Sequence, residues 1–145
     1  MTFMTEIRFK FGSNWKKYSK LINKKVITKA YIDFEKLIPK NLDIKNMTFL
    51  DIGCGSGIHS IAAFNYGFRN ITCTDYDNDS IIASKNNINN FVDIKFFNIF
   101  QDDILNTNIK KKFNLVYSWG VLHHTGNLNK ALSTTAQLVE KKGYL

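Results

Sequence analysis

Phe49-Leu50-Asp51-Ile52-Gly53-Cys54-Gly55-Ser56-Gly57-Ile58-His59-Ser60 decides how this 145-residue chain is read. An apolar, strand-like segment, Met47 to Ile52, runs into three glycines at alternate positions and then into helix-forming sequence, Ile58 to Tyr66. Glycine lacks Cβ, so the backbone can bend sharply and approach a ligand, while the helix start offers free N–H groups and partial positive charge. A nucleotide-like ligand suits such a turn. Glycine-rich turns without a ligand are also common, and the surrounding sequence has to choose between the two.

Downstream, the first crossover helix is expected to end at Gly67, and Asn70 to Thr74 reads as a second strand with Ile71 and Cys73 on one face. Asp75 closes that strand. An acidic residue there, roughly twenty positions past the glycines, is where nucleoside-binding folds place the carboxylate that accepts ribose hydroxyls. Asp77 or Asp79 caps the next helix, which carries Ile81, Ile82, Lys85 and Ile88. Val92 to Ile99 reads as a third strand leading to Gln101-Asp102-Asp103, again acidic at the strand end. Phe113 to Ser118 makes a fourth, followed by a Trp119–Asn127 loop holding Gly120, His123, His124 and Gly126. Leu128, Ala131, Leu132, Thr135, Leu138 and Val139 mark an amphipathic helix. Gly143-Tyr144-Leu145 reads as the turn into a fifth strand that starts as the chain stops, which suggests a fragment or a shortened copy with an incomplete sheet edge.

Upstream, Trp15, Tyr18, Leu21 and Ile22 recur at helical spacing after a cap at Ser13. Val26, Ile27, Ala30, Tyr31, Phe34, Leu37 and Ile38 form a second stripe ended by Pro39. The expected organisation is one domain, with residues 1–46 as an N-terminal helical cap and 47–145 as the core. Alternating strands and helices of these lengths indicate an α/β fold, a doubly wound Rossmann-like parallel sheet whose ligands bind at the carboxyl ends of the strands. Asp75, Asp102, Asp103 and the loop after Ser118 all fall at that edge.

The formal charge of +8 comes from scattered lysines among Asn and Ile rather than an arginine-rich stripe, so nucleic acid is disfavoured and the Lys110-Lys111-Lys112 run reads as solvated surface. Cys54 and Cys73 have no metal-ligand spacing, Met1 to Phe11 lacks the apolar run of a leader, and no stretch has the ~20 apolar residues of a membrane span. A reduced, cytoplasmic protein without metal is expected.

Asp51 selects the cofactor. A nicotinamide-binding turn usually reads G-x-G-x-x-G, whereas Ile58 follows Gly57 here, and Asp51 would face a pyrophosphate with like charge. For S-adenosylmethionine, which carries an ammonium and a sulfonium, the same carboxylate is favourable. Leu50 to Gly57 resembles motif I of class I S-adenosylmethionine-dependent methyltransferases, and Ser118 to Asn127 is similar to the segment after strand four in their small-molecule, type 11/12, branch. Phe11-Gly12-Ser13-Asn14-Trp15 resembles N-terminal segments of some members. The resemblance implies cofactor-binding roles for Asp51, Gly53, Cys54, Gly55, Gly57, Asp75, Tyr76, Asp102, Asp103, Ser118 and Trp119. It also implies a small-molecule methyl acceptor.

One departure is Glu140-Lys141-Lys142-Gly143, where the family has Lys-Pro-Gly-Gly before strand five. His123 and His124 are the candidate general bases, since an imidazole can accept a proton at neutral pH from a hydroxyl acceptor; His59 reads as structural. The single proline, Pro39, lies far from strand four, which sets aside subclasses with a Pro-Pro or Pro-Cys motif there. Two other readings are a non-catalytic binding or interaction module, which would dimerise through the open sheet edge, and an NAD-dependent oxidoreductase.

Overall fold

The computed structural model describes residues 12–145. Phe11, and with it the Met1–Phe11 stretch, lies outside the described residues. The first helix, α1, spans Gly12–Ser19, so Ser13 sits inside it rather than capping it. Leu21 falls beyond its end and is 64% exposed, while Ile22 is buried. Helix α2 spans Lys24–Leu37; Asn23 caps it by accepting the Val26 N–H at 3.1 Å, and Ile27 and Phe34 are its buried face.

The core then alternates: β1 (Thr48–Ile52), α3 (Ile58–Tyr66), β2 (Asn70–Asp75), α4 (Asn78–Phe91), β3 (Phe97–Gln101), β4 (Phe113–Tyr117), α5 (Leu128–Gln137) and β5 (Val139–Tyr144). Three single 3₁₀ turns, Ile94–Phe96, Ile104–Asn106 and Leu122–His124, punctuate the loops. All strand pairings are parallel, in the order β3-β2-β1-β4-β5. This is the doubly wound arrangement expected, and its order reverses beside β1.

Alternation along β1 divides the core. Phe49 packs with Phe34, Ile61, Phe68 and Ile71 on the face covered by α2 to α4, whereas Leu50 and Ile52 join Phe113, Val116, Ala131 and Leu138 on the face covered by α5. Burial on both faces is what a parallel sheet requires. Within α5, Ala131 and Thr135 are the buried positions; Leu128 and Leu132 are 45% and 44% exposed, so its apolar stripe is only partly covered.

Two strands differ from expectation. The third does not start at Val92, which caps α4 through its N–H to the Ile88 carbonyl. Asp93 then accepts the Lys95 N–H at 3.1 Å and folds Ile94–Phe96 into a 3₁₀ turn, so β3 begins at Phe97 and reaches Gln101. This Asx turn outweighs the strand propensity of Val and Ile. The fifth strand begins at Val139 and runs to Tyr144, and Glu140-Lys141-Lys142-Gly143 lies inside it rather than in a turn before it. Leu138 explains the early start: it is buried, and its carbonyl accepts the Phe113 N–H at 2.8 Å, carrying the chain straight from α5 into the sheet. Between Val139 and Tyr144 the register against β4 shifts by a bulge. Lys141 and Lys142 are exposed on this strand.

Candidate active site

The carboxyl ends of β1, β2 and β3 are joined through the glycine turn. The N–H groups of Gly53 and Cys54 both donate to the Thr74 carbonyl, at 2.8 and 2.9 Å, and the Asp102 N–H donates to the Asp75 carbonyl at 3.0 Å. Asp75 receives the Gly55 N–H on Oδ2 at 3.0 Å and the Asp77 N–H on Oδ1 at 2.9 Å, so its carboxylate is held in one orientation. Burial nevertheless raises its pKa, against the lowering effect of those two N–H groups.

Beside this junction lies a cavity of about 570 Å³, within the ~300–1,000 Å³ usual for small-molecule sites. Of the site residues read from the sequence, Gly53, Asp75, Tyr76, Asp102, Asp103, Trp119 and His124 line it. So do Asn14, Trp15 and Tyr18 of α1, Thr74, Asp77, Ser80, Val121 and Thr125, none of which the sequence singled out as a site residue. Four aspartates therefore face one space, and among the described residues neither a lysine nor an arginine lines it.

The glycines are required by their contacts. Gly53 has φ +74, and a Cβ on it would stand 2.5 Å from the Val121 methyls; Gly55 has φ +53, and its Cβ would stand 2.7 Å from the Trp15 indole. Gly57 packs on Ser84 and Ile88 of α4 instead and does not line the cavity.

Several expected site residues stand elsewhere. Asp51 is 2% exposed, accepts the Ser60 hydroxyl at 2.6 Å beneath the turn and does not line the cavity. Burial pushes its pKa up to about 7, the Ser60 hydrogen bond opposes this, and the Asp75 charge adds to it. Cys54 is buried and its thiol is held well above its ordinary range by desolvation, which makes it a small packing residue rather than a ligand group or nucleophile. Ser118 donates to the Ile52 carbonyl at 3.1 Å, tying β4 to β1, and stays outside the cavity. His123 is exposed with its ring 3.9 Å from that of His124, and only His124 reaches the lining. His59 packs edge-on to Tyr117, and burial lowers its pKa, in keeping with a structural role. Trp119, 62% exposed, stacks on Tyr117 at 6.4 Å and 10° at the rim.

The described residues hold no cluster of three or more His, Cys, Asp or Glu able to bind a metal, and no helix among them is long and apolar enough to cross a membrane.

Comparison with known proteins gives a consistent result. The family described as Methyltransferase domain matches residues 50–145. Ribosomal protein L11 methyltransferase of Agathobacter rectalis is 33% identical over 114 residues, covering 76% of this chain and 32% of that protein. Its counterpart in Legionella pneumophila (strain Corby) is 44% identical over 45 residues, 31% of this chain and 16% of that one. The chain thus spans a third or less of the length of these relatives. Among solved structures, an S-adenosyl-L-methionine-dependent methyltransferase of Methanococcus maripaludis superposes with a TM-score of 0.79 at 24% identity, covering 97% of this chain and 64% of that one. An S-adenosylmethionine-dependent methyltransferase of Aquifex aeolicus gives 0.70 at 15%, covering 92% and 69%. At these identities the two structures establish a shared fold.

Proposed function

The chain belongs to the methyltransferase-domain family, and from that premise we propose that it binds S-adenosylmethionine in the acidic cavity and transfers its methyl group to a small-molecule O, N, S or C nucleophile. The observation that carries the cofactor is the lining: four aspartates and no described lysine or arginine in a chain of net charge +8. Such a wall repels a pyrophosphate and attracts an ammonium and a sulfonium.

When bound, the cofactor supplies an electrophilic methyl on sulfur. The protein's part is to hold and orient the reactants, an effect that supplies roughly 7–11 kcal/mol in well-aligned systems. Asp75, fixed by Gly55 and Asp77, accepts the ribose hydroxyls; Asp102 and Asp103 face the adenine side; Asp51 acts through space from beneath the turn. His124 lines the cavity and takes the proton of a hydroxyl acceptor, whereas His123, outside it, has no such position. Trp15, Tyr18 and Trp119 enclose the acceptor end and exclude water.

A second reading, a protein acceptor, is favoured by the relatives named for ribosomal protein L11. Methyl-labelled S-adenosylmethionine added with a cell extract separates the two. Label in the low-mass fraction is the expected outcome; label confined to protein overturns the small-molecule acceptor, and no transfer from a folded, cofactor-binding protein overturns the activity.

A further inference from the structure

One polar atom in the cavity wall is left unexplained by the fold. Ser80 lies in the first turn of α4, has no exposed surface and lines the cavity, yet its Oγ has no hydrogen-bond partner. Thr72 and Thr135 also carry unpartnered buried hydroxyls, but neither lines the cavity. Leaving such a group unpaired is costly, and native proteins keep few of them without a reason.

The neighbour of Ser80 suggests the reason. Its hydroxyl stands close enough to Asp75 to help hold that carboxyl's pKa down as a hydrogen bond would, although no bond between the two meets hydrogen-bond geometry. Asp75 is already oriented by one N–H on each oxygen, and each oxygen keeps a further lone pair for a ligand. Asp75 therefore offers acceptors only, whereas Ser80 offers a donor within the same corner. A vicinal diol matches that set, because its hydroxyls can donate to a carboxylate while one of its oxygens accepts.

Resting on the S-adenosylmethionine reading, we propose that Ser80 is a ribose-binding residue, donating its hydroxyl proton to one ribose oxygen while Asp75 accepts from the diol. The alternative, a purely structural serine, requires a formed bond that is lost on substitution.

The test is calorimetric titration of wild type, Ser80→Ala and Ser80→Cys with S-adenosylhomocysteine and its 2′-deoxy and 3′-deoxy analogues. The expected result is an approximately tenfold loss of S-adenosylhomocysteine affinity in Ser80→Ala, with no loss for one of the two deoxy analogues. Ser80→Cys, which keeps the bulk with a weaker donor, follows the same pattern. The thermal midpoint of ligand-free Ser80→Ala is not lowered, since no formed hydrogen bond is removed. Unchanged affinity in Ser80→Ala, or an equal loss with both deoxy analogues, overturns the role of Ser80 alone. A folded wild type that does not bind S-adenosylhomocysteine overturns the cofactor reading, and the ribose assignment with it.

Discussion

Asp51 shows how a residue legible by type can be misjudged by position. Its sign pointed to a cationic cofactor, and its place in β1 buries it one layer beneath the cavity, where it holds Ser60. That position has a pH consequence. The folded pKa of about 7 lies above the ordinary carboxylate value of 3.8, so between those values the folded state binds more protons than the unfolded one. The stability contributed by the neutral carboxyl is fully present below about 3.8 and is lost as the pH rises through about 7. Above that, the buried charge costs on the order of a few kcal/mol. Asp51→Asn should therefore be stabilised relative to wild type more at pH 8 than at pH 5 in urea unfolding; an equal difference at both pH values contradicts the buried-charge account. Asp75, by contrast, was placed correctly from its sequence position alone, because the end of β2 fixes which edge it occupies. Trp15 and Tyr18 were legible as part of a helical stripe but not as lining residues, because an apolar stripe does not reveal that its far side faces a ligand space.

At the scale of elements, α1 becomes a cavity wall through two attachments to the rest of the fold. Trp15 sits on Gly55, and Asn87 of α4 donates through Nδ2 both to Ser19 Oγ at 2.9 Å and to the Ser56 carbonyl at 2.8 Å. Asn87 is 4% exposed, so removing its amide takes the donor from the buried Ser56 carbonyl and breaks the tie to Ser19. Asn87→Ala is expected to cost about 1–3 kcal/mol in urea unfolding and to speed hydrogen exchange in α1 and the glycine turn while sparing β4 and β5. Uniform acceleration across all elements would show that α1 is not separately anchored there. No sequence pattern announces such a clamp, since its partners are 31 and 68 residues away. Helices α2, α3 and α4 were legible because caps and apolar spacing agree in them. The starts of β3 and β5 were not, because Asp93 and Leu138 decide them through local hydrogen bonds and burial rather than through periodicity.

At the scale of the molecule, charge is segregated. Four of the twelve acidic residues line the cavity while the chain as a whole is strongly basic. The strand order reversing beside β1 gathers those aspartates from the ends of β2 and β3, so topology, rather than any single motif, creates the acidic pocket. The sequence made this edge foreseeable through the alternation of strands and helices, but the absence of lysine and arginine from the lining among the described residues emerges only in three dimensions. The central claim, that this pocket takes S-adenosylmethionine rather than a dinucleotide, is tested most directly by calorimetric titration of the folded chain with S-adenosylhomocysteine and, separately, with NADH. The account predicts one saturable S-adenosylhomocysteine site, weakened at least tenfold in Asp75→Ala, and no NADH binding. Saturable binding of NADH, or no heat with S-adenosylhomocysteine, would contradict it.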